Sequence, residues 1–283
     1  MRYLILLGLL MPGWVCSETS LWRVSDGNAE LFIGGTVHLL SRSDYPLPPE
    51  FEQAYQKANT LVLETDMGAL ARPEAQLQLM QRLLYSDGVT LQTALNEEAY
   101  KALQQYCTKR GIPIESLQAF KPPMVVITLM MAELQRLGLA ESGVDDFFNR
   151  KAQAEGKTLK GLETLEQQLD ALERMGQGHE NELILSTLKE LRELPAMMQS
   201  MKAAWRKGDL GSLEQIGIAP MQTEYPALYE DLLVKRNKAW LPEIAAMLAS
   251  PERELILVGA LHLAGRDGVL EQLRRRGYTV ERY

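Results

Sequence analysis

Cysteine is nearly missing from this chain: there are two in 283 residues, Cys16 and Cys107. Cys16 lies in an N-terminal stretch with the marks of a removable leader, so a processed chain keeps Cys107 alone and has no intramolecular disulfide available to it. Leu103, Tyr106 and Ile112 around Cys107 point to simple burial. Concentrated positive charge is also lacking. The chain carries 30 Lys and Arg against 37 Asp and Glu, a formal net charge of −7. Its densest basic stretch, Arg274-Arg275-Arg276, reads as a helix end complementing the helix dipole. Binding a phosphate backbone needs a basic stripe, so nucleic acid is excluded as a partner. Membrane-length apolar runs are absent from the body of the chain. Val125 to Met131 raises the question, but Lys121 and Glu133 bracket it well short of the roughly 20 apolar residues that span a bilayer. A buried core helix is expected there, and no transmembrane segment in the mature chain.

What is present begins with an address label. Arg2 precedes the apolar run Leu4 to Met11, and Val15-Cys16-Ser17 sets small residues where a signal peptidase reads them. Residues 1–17 are therefore expected to be a signal peptide cleaved after Ser17, giving a periplasmic or secreted protein. Trp14 and Val15 are too bulky for a lipobox at Cys16. Loss of Arg2 takes the formal charge from −7 to −8. Residues 18–283 are long enough to bury a large core, and no disordered linker or low-complexity tract divides them, so one domain is expected.

The order of elements predicts an α/β (α+β) fold, a central mixed sheet assembled from the N- and C-terminal thirds. Leu21 to Val24, a turn at Ser25-Asp26-Gly27-Asn28, and Glu30 to Val37 read as a β-hairpin. A helix opened by Pro48-Pro49 and a strand at Thr60 to Leu63 complete a parallel βαβ unit. Helical periodicity then dominates a large insertion at about 73–205, with segments near 73–85, 96–110, 122–138, 143–155 and 180–205. Within it, Thr158 to Leu162 reads as a short strand returning to the sheet and delivering Glu163. A long amphipathic helix is expected from Tyr225 to Leu248. Leu255 to Val258 and Tyr278 to Glu281 close the sheet around a helix at Gly268 to Arg276.

Only three histidines are present, and two share one setting. Gly35-Thr36-Val37-His38 follows the apolar run Leu31 to Ile33, and Gly259-Ala260-Leu261-His262 follows Leu255 to Val258. Each imidazole falls where a strand runs out into a loop, and Glu64 ends a third strand on the same rim. Side chains there are held by rigid backbone yet open to solvent. Two imidazoles and one carboxylate make the ligand set of a divalent metal site with open positions, which supports metal-assisted hydrolysis. A structural or loop-capping role for the histidines is the competing reading.

Around this trio, Glu163 stands at a strand end and a helix start, where the dipole also favours a carboxylate. Arg236 could clamp an oxyanion. Asn237, one residue on, cannot fully share its helix face, so one of the two is expected to point inward. Arg42 and Arg266, each four residues past a histidine, read as solvated loop residues or as parts of the site. Asp66 either orients an imidazole or starts a turn, and His179 reads as surface.

These motifs resemble the TraB/GumN family, whose members include the Tiki proteins and whose superfamily is similar to erythromycin esterases and a haem-binding lipoprotein. The likeness rests on Gly35 to His38, Leu63-Glu64, Gly143-Val144-Asp145, Gly161-Leu162-Glu163, Arg236-Asn237, Gly259 to His262 and Gly277 to Val280. It implies a metal-dependent hydrolase of peptidase type, with His38, Glu64 and His262 at a divalent metal (Mn, Co or Zn). Glu163, as ligand or general base, Arg236 and Asn237 would be the catalytic residues, and the substrate a peptide or small ester. The alternative is an envelope protein that binds haem or a peptide without turnover, with Met130-Met131 and Met197-Met198 lining its slot or simply filling the core.

Overall fold

The computed structural model describes residues 19–70, 72–86, 88–139 and 141–283, so the expected signal peptide and Cys16 lie outside the described residues. Among the described residues eight strands form: β1 (Leu21–Ser25), β2 (Glu30–Thr36), β3 (Leu39–Leu40), β4 (Thr60–Thr65), β5 (Glu141–Ser142), β6 (Thr158–Glu163), β7 (Glu254–Gly259) and β8 (Thr279–Arg282). Six of them make one mixed sheet in the order β6-β4-β7-β2-β1-β8. The β6-β4, β4-β7 and β7-β2 pairs are parallel, whereas β1 runs antiparallel to β2 and β8. The sheet is thus assembled from both ends of the chain, with β6 from the middle at one edge, as the sequence predicts.

The central strands are apolar on both faces because both faces are covered. In β2, Leu31 and Ile33 pack with Val62, Ile256 and Val258 on one side, and Phe32 packs with Leu61, Leu63, Leu255 and Leu257 on the other. Burying each such side chain contributes roughly 1.5–3 kcal/mol. Helix α1 (Pro49–Lys57) opens with proline at its first position, where the missing N–H costs nothing. It lays Phe51, Ala54 and Tyr55 on the Phe32 face.

The longer helices of the insertion follow: α2 (Pro73–Leu83), α3 (Glu97–Arg110), α4 (Pro122–Arg136) and α5 (Val144–Glu155). After β6 come α6 (Leu165–Arg174) and the 28-residue α7 (Glu180–Lys207). Helices α3, α4 and the first half of α7 close a separate apolar cluster around Leu103, Cys107, Val125, Leu129, Leu188 and Leu191. Helix α5 instead packs Val144, Phe148 and Ala152 against the sheet, so the insertion returns to the sheet in its middle. The far end of α7 is anchored there as well, since Trp205 Nε1 donates to the Gly35 carbonyl at 2.6 Å. The opposite sheet face is covered by α8 (Lys235–Leu248) and α9 (Val269–Arg275).

The expected helix from Tyr225 to Leu248 is not uniform. A π turn at Glu230–Val234 interrupts it immediately before α8. Among the described residues no helix is long and apolar enough to cross a membrane.

Candidate functional site

Because β2, β4, β6 and β7 run parallel, their C-terminal ends open on one rim. His38 lies two residues beyond β2, Glu64 at the penultimate position of β4, Glu163 at the end of β6 and His262 three residues beyond β7. The rim places them together. A methyl group built on Gly259 would lie 3.3 Å from Glu64 Oε1, 3.6 Å from His262 Cδ2 and 3.7 Å from His38 Nε2. Glycine therefore leaves open the point that the three side chains surround. The Gly259 N–H also donates to Glu64 Oε1 at 2.7 Å.

Each imidazole is held by its other nitrogen. Asn237 Nδ2 donates to the carbonyls of His262 and Asp267, which leaves its Oδ1 as acceptor for the His262 Nδ1–H at 2.6 Å. His262 thus carries its proton on Nδ1 and presents a lone pair on Nε2. It is buried, packed at a tilt against Trp240 with ring centroids 4.4 Å apart, and burial pushes its pKa down to about 4. His38 sits at the mouth, 64% exposed, with Nδ1 3.1 Å from Asp145 Oδ2. The hydrogen bond to Asp145 raises it to about 9. Burial works against the Glu64 carboxylate, but His262, Arg236 and His38 beside it hold it charged down to about 2.

Arg236 is the hub. Its Nε and Nη2 grip Glu163 at 2.6 and 3.0 Å in a two-pronged pair, and Nη2 also donates to Glu64 Oε2 at 2.7 Å. Nη1 lies 3.2 Å from the His262 Nε2 lone pair. The guanidinium rests on the Trp240 ring one helical turn on, 5.0 Å from its centroid. Trp240 Nε1 in turn donates to Glu163 Oε1 at 2.9 Å.

One sequence expectation is revised here. Arg236 and Asn237 both point inward, because the site wraps around the start of α8: the long arginine reaches the carboxylates while the short amide meets His262. Neither Glu163 nor Asn237 lines the cleft. Both oxygens of Glu163 accept hydrogen bonds, from Arg236 Nε and Nη2 and from Trp240 Nε1. Asp66 Oδ1 accepts from the Ala69 N–H at 3.0 Å and so starts a turn. Arg266 pairs with Asp267, and His179 pairs with Glu182 on the surface. Arg42 is exposed and lies outside the cleft lined by the histidines.

Asp145 and Trp240 complete the site without having been assigned roles by sequence reasoning. For Trp240 the signal was its spacing, four residues after Arg236. For Asp145 it was position at the start of α5, which approaches His38 because Gly143 has no side chain. A carbon there would lie 2.4 Å from the His38 carbonyl oxygen.

As a metal site the donor types fit: two imidazoles with Nδ1 engaged, of which His38 turns Nε2 to the Gly259 opening, one carboxylate, and an orphaned buried Asp145 Oδ1. No three His, Cys, Asp or Glu side chains among the described residues are gathered closely enough to hold an ion as they stand. Arg236 occupies the place of the counter-charge, and its Nη1 must withdraw from His262 Nε2 before that nitrogen can ligate.

From the polar rim a cleft of about 950 Å³ extends between the helical cluster and the sheet. His38, Glu64, Arg236 and His262 line it together with Glu141, Asp145, Asp146 and Arg150, and methionine and leucine side chains make up most of the remaining lining.

The TraB/PrgY/gumN family model matches residues 20–282. The uncharacterized protein YbaP of Escherichia coli (strain K12) is 28% identical over 250 residues, covering 88% of this chain and 89% of its own. The metalloprotease TIKI2 of Danio rerio is 23% identical over 304 residues, covering 88% of this chain and 58% of that protein. No solved structure matches.

Proposed function

We propose that this chain, which belongs to the TraB/PrgY/gumN family, is an exported metal-dependent hydrolase of a peptide or ester carbonyl. The observation that carries the reading is the ring of His38, Glu64 and His262 around the open point at Gly259. The distant likeness to a metalloprotease favours the same chemistry. His38, Glu64 and His262 would hold the divalent ion, Mn, Co or Zn. When bound, such an ion lowers the pKa of water and polarises a carbonyl.

The chain's own residues supply the rest. Arg236 lines the cleft, where its guanidinium would stabilise negative charge developing on the carbonyl oxygen. Glu163 and Trp240 fix the guanidinium from behind, so little of its freedom is lost when the substrate arrives. Asn237 keeps the His262 lone pair facing the site, and Asp145 does the same for His38 Nε2.

The test is metal content and turnover together. Purified protein should bind Mn, Co or Zn in calorimetry and cleave peptides or esters in a chelator-sensitive way, and His38→Ala should lose both. Absence of binding for all three ions, with no cleavage across peptide and ester libraries, would overturn the reading. A second reading, haem or peptide held without turnover, draws on the methionines along the cleft. It requires a Soret band on mixing with haem that His38→Ala removes, because His262 is too deeply recessed to reach a macrocycle.

A further inference from the structure

The apolar part of the cleft has a chemistry of its own. Met130 and Met131 of α4, Met197, Met198 and Met201 of α7, and Met221 line it, and with Met67 they are seven of the chain's 13 methionines. They are not sealed in the core: Met131 is 41% exposed and the others are half-buried. So much flexible thioether surface left facing one opening marks a binding surface, since unbranched methionine adapts its shape to what it covers. No Phe, Tyr or Trp side chain lines the cleft among the described residues, so its methionine stretch offers a planar ring no large aromatic partner.

The walls also decide between kinds of occupant. They are largely helical, and the backbone groups of α4 and α7 are used within the helices. Strand residues at the floor, Thr36 and Gly259, are paired with each other in the sheet. Of the short β5, Ser142 gives its carbonyl to the Tyr45 hydroxyl at 2.7 Å. An extended peptide lying against the methionine stretch would find no backbone partners on α4 and α7, at a cost of roughly 1–3 kcal/mol for each group buried there unpaired. An aliphatic chain carries no such groups.

We infer that the methionine trough binds an unbranched aliphatic acyl chain and lays its carbonyl beside Arg236 and His38, so that the substrate is an acyl ester. The ester clause rests on the hydrolase reading above, whereas the chain-binding clause does not. In the hydrolysis, the oxygen of water joins the acyl carbon, the bond from that carbon to the alcohol oxygen breaks, and a proton from water passes to the departing alcohol. The products are a carboxylic acid and an alcohol.

The experiment titrates the full protein with saturated alkanoates of six to fourteen carbons by calorimetry, and in parallel assays 4-nitrophenyl esters of the same lengths with Mn, Co or Zn. The dissociation constant should fall about threefold to fourfold per added methylene until the trough is full. The Met131→Gln variant and the Met197→Gln, Met198→Gln, Met201→Gln triple variant should flatten that dependence. Glutamine is close in shape and helix preference to methionine, and the wild-type series decides the matter even if the triple variant does not fold. Affinity independent of chain length, or tighter binding of a Leu- and Met-rich peptide than of every alkanoate, would overturn the acyl site. Alkanoate binding that follows the series, with no ester hydrolysed under any metal, would leave the acyl site standing and overturn the ester clause alone.

Discussion

At Gly259 one missing methyl keeps a cradle open between three side chains. Its φ of −51° and ψ of 134° suit any residue, and the nearest atom to an added carbon is Glu64 Oε1 at 3.3 Å. Gly259→Ala should therefore fold normally, with a melting temperature within about 4 °C of wild type, a change worth roughly 1 kcal/mol or less. It should weaken Mn binding more than tenfold, because the methyl fills the point that an ion or its water would use. Equal Mn affinity in calorimetry would show that the trio does not act around that point. Arg236 makes the opposite case, since its removal costs the fold itself. In Arg236→Ala the buried Glu163 and its neighbour Glu64 lose their shared cation, and breaking such a pair costs about 3–5 kcal/mol. Chemical denaturation should read that loss, and a variant as stable as wild type would mean that the carboxylates are satisfied some other way.

At the level of elements, the site depends on where strands end and on how closely α5 and α8 approach them. The strand ends were legible: apolar runs closed by glycine announced His38 and His262, and the β4 run announced Glu64. The approach of the helices was not, because it depends on contacts between segments far apart in the chain. Nothing local to Asp145 says that it meets an imidazole 107 positions earlier. Nor does the spacing of Arg236 and Asn237 reveal that both face one site. The π turn at Glu230–Val234, where the Lys235 N–H reaches back to the Glu230 carbonyl, resets the helix just before them, and such turns recur at functional sites. Glu163 was located correctly at its strand end, but its hydrogen bonds became visible only with Arg236 and Trp240 in place. The Gly143 approach gives a test at this scale. Gly143→Ala forces the start of α5 off the His38 carbonyl, at about 1–3 kcal/mol for the overpacking. Moving Asp145 away should also drop the His38 pKa from about 9 toward its ordinary 6.5, readable by NMR titration of the metal-free protein. An unchanged His38 titration would show that Asp145 does not depend on that close approach.

For the molecule as a whole, the two histidines make stability respond to pH in opposite directions. His262 is held neutral by burial, at about 4 against 6.5 when unfolded. Between those values the unfolded chain binds the extra proton, so stability falls as pH falls, by about 3 kcal/mol in all. Glu64 extends the same limb: its contribution is present above the unfolded value of 4.5 and is lost as pH drops toward about 2. His38 works the other way. Raised to about 9, it stabilises the fold fully below 6.5, and that stabilisation is lost as pH climbs through 9. Its exposure at the cleft mouth makes this limb the shallower one, since solvent screens the pair with Asp145. The metal-free protein should therefore be most stable near pH 6.5, with melting temperature falling steeply on the acid side and gently on the basic side. His262→Gln, which can still donate to Asn237 Oδ1, should remove the acid limb between about 6.5 and 4.5, and Asp145→Asn should remove the basic one. A wild-type melting temperature that stays flat from pH 7 to 4 under chelator would mean that His262 is not desolvated in the folded protein, and the neutral lone pair on which the proposed metal site relies would lose its physical basis.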